Sequence, residues 1–298
     1  MIIWLASYPR SGNTLLRTIF KQSMGLESYS DENDSSGFSK QVTEAYGGAF
    51  FDSSWDSFYR YASNSKKIFL VKTHQPPRDS QPVIYVVRDG RSAIESYVNF
   101  HKDFVNKTNC PSIMQLIIGD DYYGNWSSHY LEWSSRVEGE LMLLRFEELG
   151  CANSQLLERI GLFINFEGEI RTFNNPLKNL NLIEPKFFRT SKTVFERSSE
   201  WTEELEMLFI VLHGDLLIEL DYISSCEKKL ALQKIDPMTI QLVELASQGY
   251  TQRNYWHLQA QEKERAILEL LNHSDSYLNK AKSYLYHKCV KNFGKVIR

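Results

Sequence analysis

Residues 1–24, MIIWLASYPRSGNTLLRTIFKQSM, place a strand, a tight loop and a helix in direct succession. The apolar run Ile2 to Ala6 predicts a buried parallel strand, and apolar residues recur at helical spacing over Leu15 to Lys21. The loop between them covers Ser7 to Thr14. This arrangement turns backbone N–H groups and a helix N-terminus towards a bound anion, so the segment predicts a phosphate cradle in an α/β protein.

The side chains of this loop suit a phosphate but not a magnesium-bound nucleoside triphosphate. Gly12 lets the backbone approach a ligand closely, and the other candidate binding groups are Arg10, Ser11, Asn13 and Thr14. The triphosphate pattern G-x-x-x-x-G-K-[ST] would need glycine at position 7 and lysine at position 13, where this chain has serine and asparagine. An ordinary strand-to-helix turn with a surface arginine is the alternative that the loop alone leaves open.

Composition indicates an ordinary globular protein. The chain has 298 residues, a formal net charge of −3 and 42% hydrophobic residues, which is enough for a large core in one domain or two. Without an overall positive charge, a nucleic-acid partner is not expected. The four cysteines form no C-x-x-C pair, which predicts reduced thiols and no metal site; they are Cys110, Cys151, Cys226 and Cys289.

A cytoplasmic location without a membrane partner is predicted. The sequence begins directly with a strand and shows neither the basic segment nor the small-residue cleavage site of a signal peptide. The most apolar later stretch is Leu208 to Leu220. Three charged or polar residues interrupt it, His213, Asp215 and Glu219, so it is too short and too charged to span a bilayer.

Strands and helices alternate along the chain, which predicts a P-loop-like parallel sheet flanked by helices. Apolar, β-branched runs cover Lys67 to Thr73 and Pro82 to Val87, and a further strand is predicted over Leu141 to Arg145. Two helices and one polar loop complete this part of the prediction; they cover Ser92 to Phe104, Ser154 to Phe163 and Ser28 to Lys40.

Two segments admit alternative interpretations. Strand-like runs stop near residue 225, which predicts an α/β domain over residues 1–224 and a helical C-terminal extension over residues 225–298. The extension is interpreted as a cap on the sheet core, with a lid or a dimer contact as the alternative. The aromatic-rich stretch Gly47 to Tyr61 predicts a helix packed on the core, or else the wall of a binding pocket.

Three polar segments follow three of the predicted strands. They are the Arg10 loop, Lys72-Thr73-His74, and Arg88 with Ser96 eight positions later. Because the carboxyl ends of parallel strands meet at one edge of a sheet, we expect these groups to lie together. Each motif alone is weak evidence for a site, but several cations at neighbouring strand ends point to an anionic ligand.

In this order, these motifs resemble the PAPS-dependent sulfotransferases, in a pattern nearest the cytosolic small-molecule branch. SYPRSGNT is similar to the family's 5′-phosphosulfate loop, FLVKTHQP (Phe69 to Pro76) to its K-T-H-L-P segment, and VIYVVRDGRSAIESYVNF (Val83 to Phe100) to its 3′-phosphate motif. Two further segments resemble family motifs, YGNWSSHYLEW (Tyr123 to Trp133) and LLRFEEL (Leu143 to Leu149). Natural-product sulfotransferases of bacteria and cyanobacteria carry similar YPRSGNT loops.

The resemblance implies a role for each matched residue. His74 would be the general base, and Lys72 and Arg10 would stabilise charge on the sulfonate and the leaving phosphate. The loop residues, with Thr14, would hold the 5′-phosphate, and Arg88 with Ser96 would hold the 3′-phosphate. Two further cations are candidates for a late 3′-phosphate segment, Arg189 and Lys192.

The chain also departs from the family pattern. The loop lysine of the family is Arg10 here, the tryptophan that contacts adenine is Leu15, and the tyrosine of Y-E-D-M is Phe146. The adenine pocket is therefore altered. An acceptor pocket is expected from Tyr97, Phe100 and two ranges, residues 50–61 and 175–190.

The predicted function is transfer of a sulfuryl group from PAPS to a hydroxyl or an amine or amide nitrogen of a small molecule. PAP would be the second product, and no metal is required by this chemistry. A natural product such as a saxitoxin-like alkaloid is the narrowest acceptor hypothesis. A P-loop kinase or NTPase, and a catalytically inactive nucleotide-binding protein, are the alternatives.

Overall fold

A computed structural model describes residues 1–31, 40–105, 110–136, 138–189 and 194–272. Within these ranges five parallel strands form one sheet in the order β2-β3-β1-β4-β5. The strands are β1 (Ile2–Ser7), β2 (Ser28–Ser30), β3 (Phe69–Thr73), β4 (Val83–Val87) and β5 (Leu141–Arg145). The predicted parallel α/β sheet is confirmed, and β1 lies at its centre with β3 and β4 as neighbours.

Strand β2 was missed by the sequence analysis, which predicted a polar loop over Ser28 to Lys40. Ser28–Ser30 pairs only with β3 among the described strands and so forms an edge of the sheet. A short edge strand needs no apolar run, and the buried Ser28 hydroxyl is satisfied by Arg17 Nε at 2.7 Å. The part of the predicted loop at residues 32–39 lies outside the described residues.

Helices cover both faces of the sheet. Those of the described ranges are α1 (Asn13–Ile19), α2 (Lys40–Ala45), α3 (Trp55–Asn64), α4 (Gly90–Phe100), α5 (Ile113–Ile118), α6 (Trp126–Ser134), α7 (Phe146–Leu149), α8 (Ser154–Phe163), α9 (Leu177–Ile183), α10 (Glu203–Glu219), α11 (Ser225–Gln233) and α12 (Pro237–Asn272). Single π-helical turns extend α1 over Phe20–Met24 and α4 over His101–Val105.

Alternating side chains of the buried strands enter two separate apolar layers. Ile2 and Trp4 of β1 pack in the layer that contains α3, α4, α5, α6 and α10, whereas Ile3 and Leu5 pack in the layer that contains α1 and α8. Three aromatic residues of α3 belong to the first layer, where Phe58 is buried and Trp55 and Tyr59 are partly buried, whereas Tyr61 is exposed. The interpretation of this stretch as a core helix is therefore confirmed.

The helical character predicted for the C-terminal region is confirmed for the described residues. Ala231 of α11 and Val243 of α12 are buried in the layer that contains α10. One compact unit runs over Met1–Thr251, and the second, Gln252–Arg298, is described to residue 272 as a continuation of α12. The predicted boundary after residue 224 does not coincide with this division, and its functional meaning stays a prediction.

Two composition-based expectations can be compared with the structure. Cys110, Cys151 and Cys226 are free thiols, and Cys289 lies outside the described residues. No helix in the described part of the chain combines the length and the apolar character needed to cross a membrane. The cytoplasmic location stays a prediction.

Asp89 and Arg91, in the sequence R-D-G-R at residues 88–91, make bonds that hold the fold together. Asp89 caps α4 by accepting the Arg91 backbone N–H at 2.9 Å, and the Arg91 guanidinium donates to both carboxylate oxygens of Asp89, at 3.0 and 2.7 Å. Arg91 also pairs with Glu206 of α10 at 3.2 Å. These buried bonds fix α4 against α10, so Arg91 serves the fold.

Gly90 allows α4 and α6 to approach each other. A Cβ at this position would lie 2.5 Å from the Trp126 ring and 2.6 Å from the Phe209 ring, both of which are buried. We expect Gly90→Ala to lower the free energy of unfolding by about 1–3 kcal/mol, the usual cost of overpacking a core. Urea denaturation of the purified variant measures this.

Gly249→Ala is the matched control. Gly249 lies in α12, and a Cβ there meets nothing within 4 Å. This variant should keep or raise the stability by up to about 1 kcal/mol, because alanine favours the helix. Equal stabilities of the two variants would contradict the packing argument at Gly90.

Candidate active site

A cavity of about 660 Å³ opens at the carboxyl ends of β1, β3 and β4. These strands are neighbours in the sheet, so the three segments that follow them meet at one wall. Nine of the residues singled out from the sequence line this cavity, namely Arg10, Gly12, Asn13, Thr14, Lys72, His74, Arg88, Ser96 and Arg189. Ser11 is not on the wall and is buried under the loop, and Lys192 lies outside the described residues.

The loop after β1 requires glycine at position 12. Gly12 has a φ of 111°, a left-handed conformation that glycine adopts without steric cost, and Arg10 also has a positive φ of 64°. A Cβ on Gly12 would lie 2.5 Å from the Phe146 ring. The backbone of the loop therefore packs directly on Phe146 of α7, closer than any other residue would permit.

Asn13 has a structural role where a triphosphate-binding loop would have lysine. Its side-chain amide donates to the Leu5 carbonyl at 2.7 Å and to the Ser7 hydroxyl at 3.4 Å, which ties the start of α1 to the end of β1. No side chain of the described residues caps this helix. The N–H groups of its first turn thus face the cavity without a capping oxygen.

Arg10 is held as a rigid cation in the cavity wall. Its guanidinium lies 4.9 Å from the Phe100 ring centre and 5.4 Å from that of Phe187, and its Nε donates to the Ser96 hydroxyl at 3.3 Å. Burial and the nearby charges of Arg88 and Arg189 lower the pKa of Arg10 to about 10. Both causes disfavour the protonated form, so a bound anion would relieve them.

Arg88 supplies a second buried cation. Its guanidinium lies 4.4 Å from the Phe146 ring centre and donates to the Arg10 carbonyl at 3.3 Å. Burial lowers its pKa from the ordinary value. Ser96, which the sequence analysis pairs with Arg88 on one phosphate, contacts Arg10 instead in this structure.

Lys72, near the carboxyl end of β3, and His74, directly after β3, line the same cavity. Lys72 is 8% exposed and lies on the wall. His74 Nδ1 lies 2.7 Å from the Ser7 carbonyl oxygen, which can only accept, so Nδ1 carries the proton. In the neutral imidazole the lone pair is then on Nε2, the atom that a general base would use.

Arg189 is engaged at the cavity in an ion pair with Asp103 of the second π-helical turn. Lys186 lies 3.7 Å from the same carboxylate. The segment containing both cations carries Phe187, one of the rings that contact Arg10. The pairing with Asp103 thereby places this segment beside the Arg10 loop.

One face of α6 holds the backbone of the site, a role that the sequence analysis did not assign. Trp126 Nε1 donates to the Arg88 carbonyl at 3.1 Å, and Trp133 Nε1 donates to the Gln75 carbonyl at 3.1 Å. Between them, His129 Nε2 donates to the His74 carbonyl at 2.9 Å. Their spacing in W-x-x-H-x-x-x-W puts the three side chains on one helix face, which was the available signal.

Another part of the wall contains residues to which the sequence motifs assigned no role in donor binding or catalysis. Tyr97, named from the sequence, lies beside His101, with ring centres 4.7 Å apart, and donates a hydrogen bond to Asp121 at 3.4 Å. Tyr122 and Tyr123 also line the cavity. Of the other expected pocket residues, Phe100 and part of 175–190 line it, and none of residues 50–61 does so.

Within the described residues, no group of three or more histidine, cysteine or acidic side chains forms a potential metal site.

The chain matches a known protein family over most of its length. The family described as "Sulfotransferase domain" matches residues 2–208, more than half of the chain. Among solved structures, the chain is similar to mouse sulfotransferase SULT7A1 complexed with PAP, with 16% identity, a TM-score of 0.48, and coverage of 78% of this chain and 87% of that one. No curated protein matches the chain in sequence.

Two buried histidines predict how stability depends on pH. Burial lowers the pKa of His129 and of His213 to about 4, from an ordinary value of 6.5. Between these values the unfolded chain binds protons that the folded protein excludes, so the free energy of unfolding falls as pH decreases from 6.5 towards 4. We expect His129→Gln to make this slope shallower by up to about 1.4 kcal/mol per pH unit.

Chemical denaturation at a series of pH values measures the slope. His257→Gln, at an exposed position of α12, is the control and should retain the slope of the parent protein. If His129→Gln also retains it, the neutral buried state of His129 is refuted.

Proposed function

Because this chain belongs to the sulfotransferase domain family, we propose that it transfers a sulfuryl group from PAPS to a nucleophilic atom of a small molecule. The acceptor atom would be a hydroxyl oxygen or an amine or amide nitrogen. A natural product is the acceptor class favoured by the sequence of the loop. The solved sulfotransferase with which the chain was compared is complexed with PAP, the product that such a donor would leave.

The observation that carries this proposal is the set of buried cations around one cavity. Arg10, Lys72 and Arg88 come from three neighbouring strand ends, and the pKa of Arg10 is lowered by its burial and by repulsion from Arg88 and Arg189. Such an arrangement costs free energy in the free protein and becomes favourable when a multiply charged anion binds. A nucleotide with phosphates at both the 3′ and 5′ positions has this charge.

The polar atoms of the loop also fit a phosphate. The Ser11 hydroxyl, which can donate a hydrogen bond to an anion, is buried and has no hydrogen-bond partner among the described residues. Thr14 lies on the wall at the start of α1, where uncapped N–H groups face the cavity. We assign this region to the 5′-phosphate and Arg88 with Ser96 to the 3′-phosphate, with Arg189 as a further cation.

His74 would act as the general base. In this proposal its Nε2 accepts the proton of the acceptor while the acceptor atom bonds to sulfur and the bond from sulfur to the 5′-phosphate oxygen breaks. Lys72 and Arg10 stabilise the charge that develops on the non-bridging and leaving oxygens. His129 acts indirectly, since it holds the His74 backbone.

Nucleotide binding without a divalent metal tests the donor assignment. Adenosine 3′,5′-bisphosphate should bind tightly in the presence of a chelator, and Arg88→Ala should weaken that binding by about 2–5 kcal/mol, the cost of losing a charged partner. The same substitution should weaken the binding of adenosine 5′-monophosphate far less, because this nucleotide has no 3′-phosphate. Isothermal titration calorimetry with both nucleotides measures the difference.

Arg145→Ala is the control, because Arg145 also ends a strand but does not line the cavity. It should leave both affinities unchanged. Equal losses for the two nucleotides in Arg88→Ala would remove Arg88 from the 3′-phosphate. Tight binding of ATP that requires magnesium would favour the kinase alternative.

Substitution of the base tests the catalytic assignment. We expect His74→Ala to lower kcat by about 10²–10⁴-fold, the usual contribution of a general base, with little change in the affinity for adenosine 3′,5′-bisphosphate. Steady-state transfer from labelled PAPS measures kcat. His101→Ala removes another imidazole of the same cavity and should have a much smaller effect; a larger loss in this variant would transfer the role to His101.

A further inference from the structure

We propose that the acceptor is a cation, bound through its ammonium or guanidinium group at Asp121 while its nucleophilic atom lies at His74. This inference rests on the proposed function and specifies the substrate class of the same site. It follows from the charges, the contacts and the burial of the part of the wall that contains Asp121.

Asp121 differs in charge from the rest of the cavity. Among the described residues that line the cavity, it is the only acidic side chain; the basic ones are Arg10, Arg17, Lys72, Arg88, Lys186 and Arg189. A carboxylate in a cavity with so many cations is not needed to bind the anionic donor and would weaken its binding. Its position on the wall therefore points to a different, positively charged ligand.

Asp121 and His74 lie on the same part of the wall, on either side of Tyr123. The Tyr123 backbone N–H donates to Asp121 Oδ2 at 3.3 Å, and the Tyr123 ring lies edge-on to the His74 ring with centres 5.7 Å apart. Both groups therefore contact Tyr123 and line the same cavity. This arrangement suits an acceptor that carries its charge and its nucleophile at different ends.

Burial makes the Asp121 carboxylate receptive to a cation. Burial raises its pKa above the ordinary value, although hydrogen bonds to it and the charge on His101 oppose this effect. Two of its hydrogen bonds, from the Tyr97 hydroxyl and the Tyr123 N–H, come from neutral donors and measure 3.4 and 3.3 Å. A bound cation would add a charged partner.

The rings around Asp121 suit the same ligand. Tyr97, Tyr122 and Tyr123 all line the cavity, and the Tyr122 and Tyr123 rings lie edge to face with centres 5.1 Å apart. Aromatic faces attract ammonium and guanidinium groups, and they also cover the hydrocarbon part of a ligand. Because the donor's phosphates would neutralise Arg10, Lys72 and Arg88, we expect the cation to bind after the nucleotide.

Matched pairs of acceptors test this inference in the full-length protein. Tyramine is compared with p-ethylphenol, and aminohexanol with hexanol, so that the members of each pair differ mainly in the charged nitrogen. In sulfuryl transfer from PAPS we expect the cationic member to have a KM lower by about tenfold or more, as for a hydrogen bond to a buried charge. Asp121→Asn should bring the ratio of the two KM values close to one.

Asp120→Asn is the matched control, since it removes the same charge from the adjacent residue, which does not line the cavity. It should retain the preference for the cation. Equal KM values within each pair for the parent protein, or an unchanged ratio in Asp121→Asn, would overturn the inference while transfer itself is still observed.

Binding provides a second readout when turnover of these probes is slow. The thermal stability of protein saturated with adenosine 3′,5′-bisphosphate should rise with tyramine or aminohexanol, but not with their uncharged partners. If neither cationic probe is bound, the inference is wrong and the proposed function stands. If the bisphosphate itself does not bind, the proposed function is wrong, and the inference that rests on it is wrong as well.

Discussion

Three backbone carbonyl groups at the carboxyl edge of the sheet are held by ring N–H groups of one helix, and the side chains of the candidate site depend on these bonds for their positions. Trp126, His129 and Trp133 of α6 contact the carbonyls of Arg88, His74 and Gln75. Irregular backbone after a strand has no ladder to satisfy its carbonyls, and a buried carbonyl without a donor is costly. The helix thus stabilises the segments after β3 and β4 and fixes the backbone positions from which the His74 and Arg88 side chains extend.

The histidines of this region differ in how many of their ring nitrogens are hydrogen-bonded within the protein. His129 and His213 are enclosed, donate one N–H to a carbonyl and accept from a hydroxyl of Tyr85 or Ser127, so both nitrogens are occupied. His74 uses Nδ1 on the Ser7 carbonyl and lies on the cavity wall. The contrast separates histidines that support the fold from one suited to proton transfer.

The sequence predicts the fold well where burial is complete on both faces of a strand. All six residues of β1 and all five of β3 and β4 are buried, so their apolar runs are clear in the sequence. Ser28–Ser30 is an edge strand whose polar atoms are satisfied by Arg17 and by neighbouring backbone, and its residues carry no such pattern. A short polar strand is set by its tertiary partners.

The candidate site divides in a similar way. Lys72 lies near the carboxyl end of β3, and Arg10, His74 and Arg88 lie in the segments that follow β1, β3 and β4, so parallel topology is sufficient to bring them together. Asp121 and His101 reach the wall from an irregular segment and a π-helical turn, where no periodic pattern specifies a direction. The spacing of Trp126, His129 and Trp133 indicates that they share one helix face, but not which carbonyls they bind, because a backbone carbonyl that accepts a bond leaves no trace in the sequence.

The contact of the Arg10 guanidinium with the Phe100 and Phe187 rings has a thermodynamic consequence. A flexible cation loses side-chain entropy when it first meets an anion, and that loss subtracts from affinity. Here the rings and the Ser96 hydroxyl already restrict the guanidinium plane, so most of this ordering takes place during folding. The site is therefore preorganised, and the difference between the arginine of this loop and the lysine of its relatives is a difference in rigidity as much as in shape.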